Sequence, residues 1–146
     1  MVTSEALSWG IGIVGPREIE QWNILQATLQ AMTTAVSSLV PLPDCLLVDG
    51  PSSLPVQIPQ ECIVRGDQRC YSIAAASILA KVTRDRLMMG YHRQYPQYNF
   101  AKHKGYATRE HIEAIRKFGC CEIHRATFRR VIDTWEGLKA MVDDGE

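Results

Sequence analysis

The chain has 146 residues, of which 46% are hydrophobic and 22% charged, a composition typical of one globular domain or part of one. Its 16 Lys and Arg residues balance 16 Asp and Glu residues, so total charge selects no partner class. No basic segment followed by an apolar stretch opens the chain, and no apolar run reaches the ~20 residues of a membrane span. These features argue against a membrane protein and predict a cytoplasmic one.

The first 60 residues predict a strand, a helical region and a second strand. Residues 6–14 alternate apolar side chains with glycines, which indicates a short strand before a turn at Gly15 and Pro16. Residues 17–40 carry apolar side chains at near-helical spacing and predict one or two helices. Residues 45–48 form an apolar run that resembles a buried strand.

The next elements alternate between strand and helix, as in an α/β protein. Residues 62–64 predict another buried strand, and the alanine-rich residues 72–89 predict a long helix with Ser72 as a candidate cap. Residues 94–106 read as a polar and aromatic loop. Residues 108–119 then predict a helix that Thr108 caps and Gly119 ends.

Charges and cysteines are unevenly distributed. Residues 101–130 hold eight basic and three acidic residues, whereas residues 1–60 hold one basic and five acidic residues. This asymmetry is compatible with a basic surface that meets phosphates, and equally with solvated helix faces. The odd number of cysteines, five, and the lack of a C-x-x-C pair predict buried thiols in a reducing compartment rather than disulfides or structural zinc.

Two aspartates are candidate catalytic and metal-binding residues. Asp49 follows a predicted buried strand, where open α/β sheets assemble their sites, although Asp-Gly is also a common turn. Asp85 shares a helix face with apolar residues, so its carboxylate needs a cation or an ion pair with a neighbour such as Lys81. Carboxylate oxygens are preferred ligands of the hard divalent cations that catalyse phosphodiester hydrolysis. Such a site usually needs a third carboxylate, and Asp67 is only a weak candidate for it.

The run His103-Lys104-Gly105-Tyr106 is a candidate nucleic-acid contact. It combines two potential phosphate ligands, a glycine that allows close backbone approach, and a ring that could stack on a sugar or base. An ordinary loop with a half-buried tyrosine would show the same residues. The run alone is suggestive only.

Five ordered blocks resemble the ribonuclease HII family across nearly the whole chain. They read NILQATLQAM, LLVDG, IVRGD, SIAAASILAKVTRD and YPQYNFAKHKGYAT, and the fourth is the most distinctive. The resemblance implies a ribonuclease H-like mixed sheet flanked by helices. It also implies Mn- or Mg-dependent hydrolysis of RNA in RNA/DNA hybrids and cleavage 5' of ribonucleotides in duplex DNA, with a role in DNA repair and replication, by an enzyme that is a monomer when complete.

Individual roles follow from the resemblance at matching positions. Asp49 and Asp85 match metal-binding carboxylates, and Tyr106 matches a tyrosine that stacks on the deoxyribose after the ribonucleotide. Arg65 stands where the family often has lysine, which implies a phosphate contact, and Lys81, His103 and Lys104 complete the expected nucleic-acid contacts. Pro51 replaces a frequent asparagine and departs from the pattern.

The resemblance also implies that part of the enzyme is missing. The family's Asp-Glu-x-Gly-Arg-Gly block, with two of four catalytic carboxylates and the loop that reads the 2' hydroxyl, does not occur here. Residues 1–132 would then be a partial catalytic domain lacking central strands, followed by a helical tail over residues 133–146. We expect such a chain to fold poorly and to lack normal nuclease activity.

Two other functions remain open. A noncatalytic remnant would keep the basic surface and Tyr106 and bind nucleic acid without cutting it. A scaffold domain would use both aspartates in ordinary salt bridges and would bind neither nucleic acid nor metal.

Overall fold

The computed structural model describes residues 2–125 and 127. The chain divides into two compact units, Met1–Val82 and Thr83–Glu146. The predicted tail over residues 133–146 lies outside the described residues.

The first unit opens with three helices, α1 (Val2–Glu5), α2 (Pro16–Trp22) and α3 (Ile24–Ser37). Two helices therefore occupy the region where one or two were predicted. Asn23 separates them: its backbone is left-handed, at φ 71°, and its side-chain oxygen accepts the first free backbone N–H groups of α3. Pro16 lies in the first turn of α2, where its missing N–H costs nothing.

The strand predicted over residues 6–14 is not formed. A strand needs a neighbouring strand for its backbone hydrogen bonds, and these residues instead lie against α3. Gly12 approaches so closely that a Cβ atom there would lie 1.7 Å from the carbonyl oxygen of Ala31. The glycines that looked like part of a strand pattern therefore serve helix packing.

Two parallel strands, β1 (Leu46–Asp49) and β2 (Gln60–Ile63), form the sheet of the described residues, so both predicted segments contain a strand. Leu46 and Val48 of β1 are buried, but no residue of β2 is, so the predicted burial of the second strand is wrong. Their register pairs Leu46 with Gln60 and Asp49 with Ile63. The buried side chains of β1 pack with Leu54 and with the apolar side of α3; the members of this core are Leu29, Met32, Val36, Leu46, Val48, Leu54, Val56, Ile58 and Cys62.

Helix α4 (Tyr71–Gln94) begins in the first unit and ends in the second, and it is longer than the helix predicted over residues 72–89. Ser72 lies inside its first turn, so the predicted cap at this residue is wrong. Ile73 is its one buried residue, while Ile78 is 58% exposed and Val82 41% exposed. The alanine-rich helix thus leaves much apolar surface open.

The second unit continues with a 3-10 turn (Pro96–Tyr98), α5 (Phe100–His103) and α6 (Arg109–Phe118). The region predicted as a loop is therefore partly helical. Thr108 caps α6 by accepting the N–H of His111, and Gly119 ends the helix at φ 76°, as predicted. The core consists of Tyr98, Phe100 and Ile115, surrounded by Met88, Tyr91, Tyr95, Ala114, Cys121 and Ile123.

All five cysteines are free, as predicted, but none is fully buried. Cys45 and Cys120 are exposed, and the other three are partly exposed, which corrects the expectation of buried thiols. Within residues 2–125 and 127, no helix has the length and apolar character required to cross a membrane.

Gly12→Ala should lower the free energy of unfolding by ~1–3 kcal/mol, because the added methyl group would collide with the backbone of α3. Gly90→Ala is the matched control, since its Cβ would meet nothing within 4 Å and alanine favours the helix by up to ~1 kcal/mol. Urea unfolding followed by circular dichroism measures both. Equal stability of the two variants would contradict the packing of residues 6–14 on α3.

Candidate metal and nucleic-acid site

Asp49 lies where β1 ends, at the same edge of the sheet as the end of β2. Its Oδ1 atom accepts a hydrogen bond from the backbone N–H of Gly66 at 2.8 Å, and the N–H of Gly50 donates to the carbonyl oxygen of Ile63 at 3.0 Å. The carboxylate is exposed. These two bonds join the strand ends and fix one face of the aspartate while leaving it open to solvent.

The turn after β2 has little freedom. Arg65 adopts a left-handed backbone at φ 54°, and a Cβ atom on the buried Gly66 would lie 2.5 Å from Ile73 Cδ1. Glycine is therefore the residue that fits between Asp49 and α4 in this unit. The Arg65 side chain is exposed at the same edge, as a phosphate contact requires.

Asp85 and Lys81 lie on α4 in different units. Asp85 is partly exposed, which agrees with the predicted partial burial, and Lys81 is exposed. Each takes part in an interaction within the chain, so neither is without a partner. Asp49 and Asp85 also belong to different units.

Tyr106 is presented by a strained turn in the second unit. Lys104 and Gly105 have left-handed backbones, at φ 50° and 79°, and the Tyr106 side chain is 61% exposed. The Arg84 guanidinium lies 5.0 Å from the centre of its ring, within the range of a cation–π interaction. The ring is thus held from one side by a cation that could itself meet a phosphate.

The two remaining predicted contacts of this turn differ in surroundings. The ammonium group of Lys104 donates to the carbonyl oxygen of Ala101 and lies 3.0 Å from Met89 Sδ. His103 is buried: its Nε2 lies 2.6 Å from the Tyr98 carbonyl oxygen, and its Nδ1 accepts the N–H of Gly105 at 3.2 Å. Because both ring nitrogens are engaged, this geometry gives His103 a structural role and does not support its predicted phosphate contact.

Two further histidines were not singled out in the sequence. His111 Nε2 lies 3.0 Å from His124 Nε2, and His111 Nδ1 lies 3.0 Å from the Tyr106 carbonyl oxygen. Burial is the main cause that lowers the pKa of His111 and that lowers the pKa of His124 to about 4. Repulsion from His103 adds to the effect at His111, and repulsion from His111 and His103 adds to it at His124. The sequence gives only a weak sign that His111 faces the core, which is its position one helical turn before the apolar Ile115.

The described residues do not form a complete metal site. Within the part that the structure describes, no group of three or more His, Cys, Asp or Glu side chains could hold an ion. Asp49 offers the oxygen chemistry that hard divalent cations prefer, but the number of ligands is insufficient. The weak third candidate, Asp67, is exposed in the 3-10 turn that follows Arg65.

The fold is that of a known α/β nuclease structure. The chain resembles the crystal structure of the ribonuclease H2 from Pyrococcus horikoshii OT3 with a TM-score of 0.69 at 21% sequence identity. The likeness covers 86% of this chain and 67% of that one. It shows a ribonuclease H-like α/β fold, which confirms the predicted class.

The sequence defines the family more closely. Residues 3–131 match the family model of Ribonuclease HII. The chain is 56% identical over 128 residues to a ribonuclease HII of Caldanaerobacter subterraneus and 55% identical over 129 residues to one of Syntrophus aciditrophicus. It therefore belongs to the ribonuclease HII family, and it spans 53% and 61% of the length of these two relatives.

Asp49→Asn should leave the thermal midpoint nearly unchanged, because the amide oxygen can still accept the N–H of Gly66. Asp49→Ala should lower the stability by ~1–3 kcal/mol, since it leaves that N–H without its partner. Thermal unfolding of both variants measures the difference. Equal stability of the alanine and asparagine variants would mean that the bond does not hold the strand ends together.

Proposed function

We propose that this chain carries part of a ribonuclease HII active site, which hydrolyses RNA in RNA/DNA hybrids and cuts 5' of ribonucleotides in duplex DNA. The observation that carries the proposal is the family match over residues 3–131, which includes both aspartates and Tyr106. The exposed carboxylate of Asp49, oriented by Gly66 at the edge of the sheet, supports a role for that edge.

In the proposed reaction, the residues of this chain bind and orient. Asp49 and Asp85 would hold Mn or Mg ions, which when bound activate water and stabilise developing charge. Two carboxylates do not complete such a site, so further ligands would be needed. Arg65 would hold a backbone phosphate at the sheet edge, and the bond from Gly66 would keep the Asp49 carboxylate turned toward solvent.

Tyr106 and its neighbours would bind the substrate on the second unit. The exposed ring would stack on the deoxyribose next to the ribonucleotide, and Arg84 beside it would add positive charge. Lys104 and Lys81 would contact phosphates. His103 would support the turn from within, since its ring nitrogens bond to Tyr98 and Gly105.

A noncatalytic nucleic-acid-binding function is the second candidate. It is favoured by the observation that the turn of Tyr106 is fully assembled within one unit, whereas the described residues hold no cluster of three metal ligands. In this function the chain would bind an RNA/DNA hybrid through Tyr106 and basic side chains without cleaving it.

Other expectations accompany the proposed function. We propose a cytoplasmic location, which the five free cysteines fit, a monomeric complete enzyme, and a role in DNA repair and replication. These follow from the family and from composition.

The nuclease proposal is tested with a duplex DNA that contains one ribonucleotide, in the presence of Mn or Mg. We expect no cleavage by this chain and cleavage by a version extended with the Asp-Glu-x-Gly-Arg-Gly segment of a relative, lost again in Asp49→Asn. Robust cleavage by the unextended chain would overturn the incomplete site. Failure of both forms, with binding retained, would favour the noncatalytic function.

Tyr106→Ala should weaken binding of an RNA/DNA hybrid on the order of tenfold or more, since stacking on an aromatic ring contributes ~1–3 kcal/mol. Tyr106→Phe should bind normally because it keeps the ring. Tyr71→Ala is the matched control, as this tyrosine is 96% exposed on α4 and has no proposed contact. Fluorescence anisotropy at fixed salt measures the affinities; an unchanged affinity of Tyr106→Ala would exclude the stacking contact.

A further inference from the structure

A run of hydrogen bonds connects the backbone of Cys121 to the backbone of Tyr106 through two imidazoles. The N–H of Cys121 lies 3.0 Å from His124 Nδ1, and His124 Nε2 lies 3.0 Å from His111 Nε2. His111 Nδ1 then lies 3.0 Å from the Tyr106 carbonyl oxygen. All these residues belong to the second unit.

The groups at the two ends of the series determine which nitrogen of each imidazole carries the proton. A backbone N–H can only donate, so His124 Nδ1 must accept and His124 must carry its proton on Nε2. That Nε2–H donates to His111 Nε2, which leaves the proton of His111 on Nδ1. The Nδ1–H of His111 donates to the Tyr106 carbonyl oxygen, which can only accept. The three bonds are therefore mutually consistent and point in one direction.

We propose that His111 and His124 are positioning residues, which hold the main chain of Tyr106 in place through this directed series of hydrogen bonds. The inference rests on the proposed function of Tyr106 as a substrate contact. His111 touches no substrate in it; it acts through the backbone of the tyrosine.

The main chain of Tyr106 is fixed at both of its polar groups. Its N–H donates to the carbonyl oxygen of His103 at 2.9 Å, and its carbonyl oxygen accepts from Thr108 N–H at 2.8 Å as well as from His111. The bond from His111 ties the backbone of the turn to a side chain of α6. Its loss would free a segment whose Lys104 and Gly105 already have left-handed backbones.

A proton on either ring would break one of the two bonds that His124 makes in the series, although the Nδ1–H of His111 would still donate to the Tyr106 carbonyl oxygen. Protonated His124 would carry a hydrogen on Nδ1 facing the N–H of Cys121, and protonated His111 would carry one on Nε2 facing the Nε2–H of His124. The surroundings oppose either cation. His111 is 5% exposed, its ring stacks on His103 at 4.4 Å, and Phe100 lies 5.4 Å away.

The titratable groups that contact the pair do not compensate a positive charge. His103 faces His111 from α5, with both of its nitrogens engaged. Tyr98 faces His124 at 4.8 Å from the 3-10 turn, and the Cys121 thiol lies 3.1 Å from His124 Nδ1. Burial raises the pKa of both Tyr98 and Cys121, so each is neutral near pH 7.

The direction of the pH dependence follows from these facts. Burial is the first cause of the lowered pKa of both histidines, and the pKa of His124 falls to about 4. The unfolded chain, with a histidine pKa near ~6.5, binds more protons than the folded chain between the two values. The stabilisation is therefore fully present above ~6.5 and is lost progressively as the pH falls toward the folded pKa.

The hydrogen-bond series is tested directly by nitrogen-15 NMR of the imidazoles in the full 146-residue chain at neutral pH. We expect the Nδ1–H tautomer for His111 and the Nε2–H tautomer for His124. The Nε2–H tautomer at His111 would overturn the proposal, because that ring could not then donate to Tyr106. This measurement needs no variant and no substrate.

The positioning role is tested by binding of the RNA/DNA hybrid. His111→Phe keeps a ring but no nitrogen, and we expect it to weaken binding about as much as Tyr106→Ala, on the order of tenfold. His111→Asn, whose amide can replace the Nδ1 donor, should restore most of that loss. In the Tyr106→Ala background, His111→Phe should add nothing, since both changes remove the same contact.

The pH dependence of hybrid binding distinguishes a positioning role from a merely structural one. The ratio of the affinities of the unaltered chain and Tyr106→Ala should hold from neutral pH and fall only as the pH approaches about 4, where His124 takes up a proton and the series breaks. A ratio that already falls around the ordinary histidine pKa of ~6.5 would overturn the role of the buried pair. If Tyr106→Ala binds normally, the proposed substrate contact is wrong; if it binds weakly while His111→Phe binds normally, the positioning role alone is wrong.

Discussion

The parallel pairing of β1 with β2 is the constraint on which the first unit depends. Its register brings Asp49 beside Ile63, so both strands end at one edge. The next turn can then place the N–H of Gly66 against the Asp49 carboxylate. Burial of Leu46 and Val48 against α3 keeps the pair in this register, since a shift by one residue would turn these side chains outward.

The second unit uses a different kind of constraint. Its small core is made of rings, with Tyr98 and Phe100 stacked at 5.4 Å and the Tyr98 hydroxyl donating to the carbonyl oxygen of Gly119 at 2.8 Å. Histidines fill the same space, and each polar ring atom has to find a partner there. The turn of Tyr106 is thereby anchored on a core that is partly polar, so its geometry depends on hydrogen bonds as well as on packing.

Local signals predicted much of this structure. The cap at Thr108, the end of α6 at Gly119 and the two short apolar strands depend on residues close in sequence, and all were confirmed. The prediction of a strand over residues 6–14 was wrong. A strand forms only beside a neighbouring strand, and the sequence pattern cannot show whether one is present. Its glycines have the same spacing whether they belong to a strand or to a close approach to a helix.

Parts of the candidate site could not be predicted from the sequence, because they depend on contacts between residues that are distant in the chain. His111 and His124 are separated by 13 positions and meet only after the chain has turned at Gly119. His103 looked like a surface ligand beside Lys104, yet the backbone turns between them and sends the imidazole inward. Motif and resemblance proposed Asp49 and Tyr106 as candidates, but not the groups that hold them, which lie elsewhere in the sequence.

The open apolar face of α4 has a consequence for the protein in solution. Ile78 and Val82, one helical turn apart, expose substantial side-chain area on this helix. Exposed apolar patches are prone to join other apolar surfaces, including those of identical molecules. We therefore expect the solubility of this chain to decrease when salts such as sulfate strengthen apolar association, so that dilute, low-salt conditions favour the dispersed molecule.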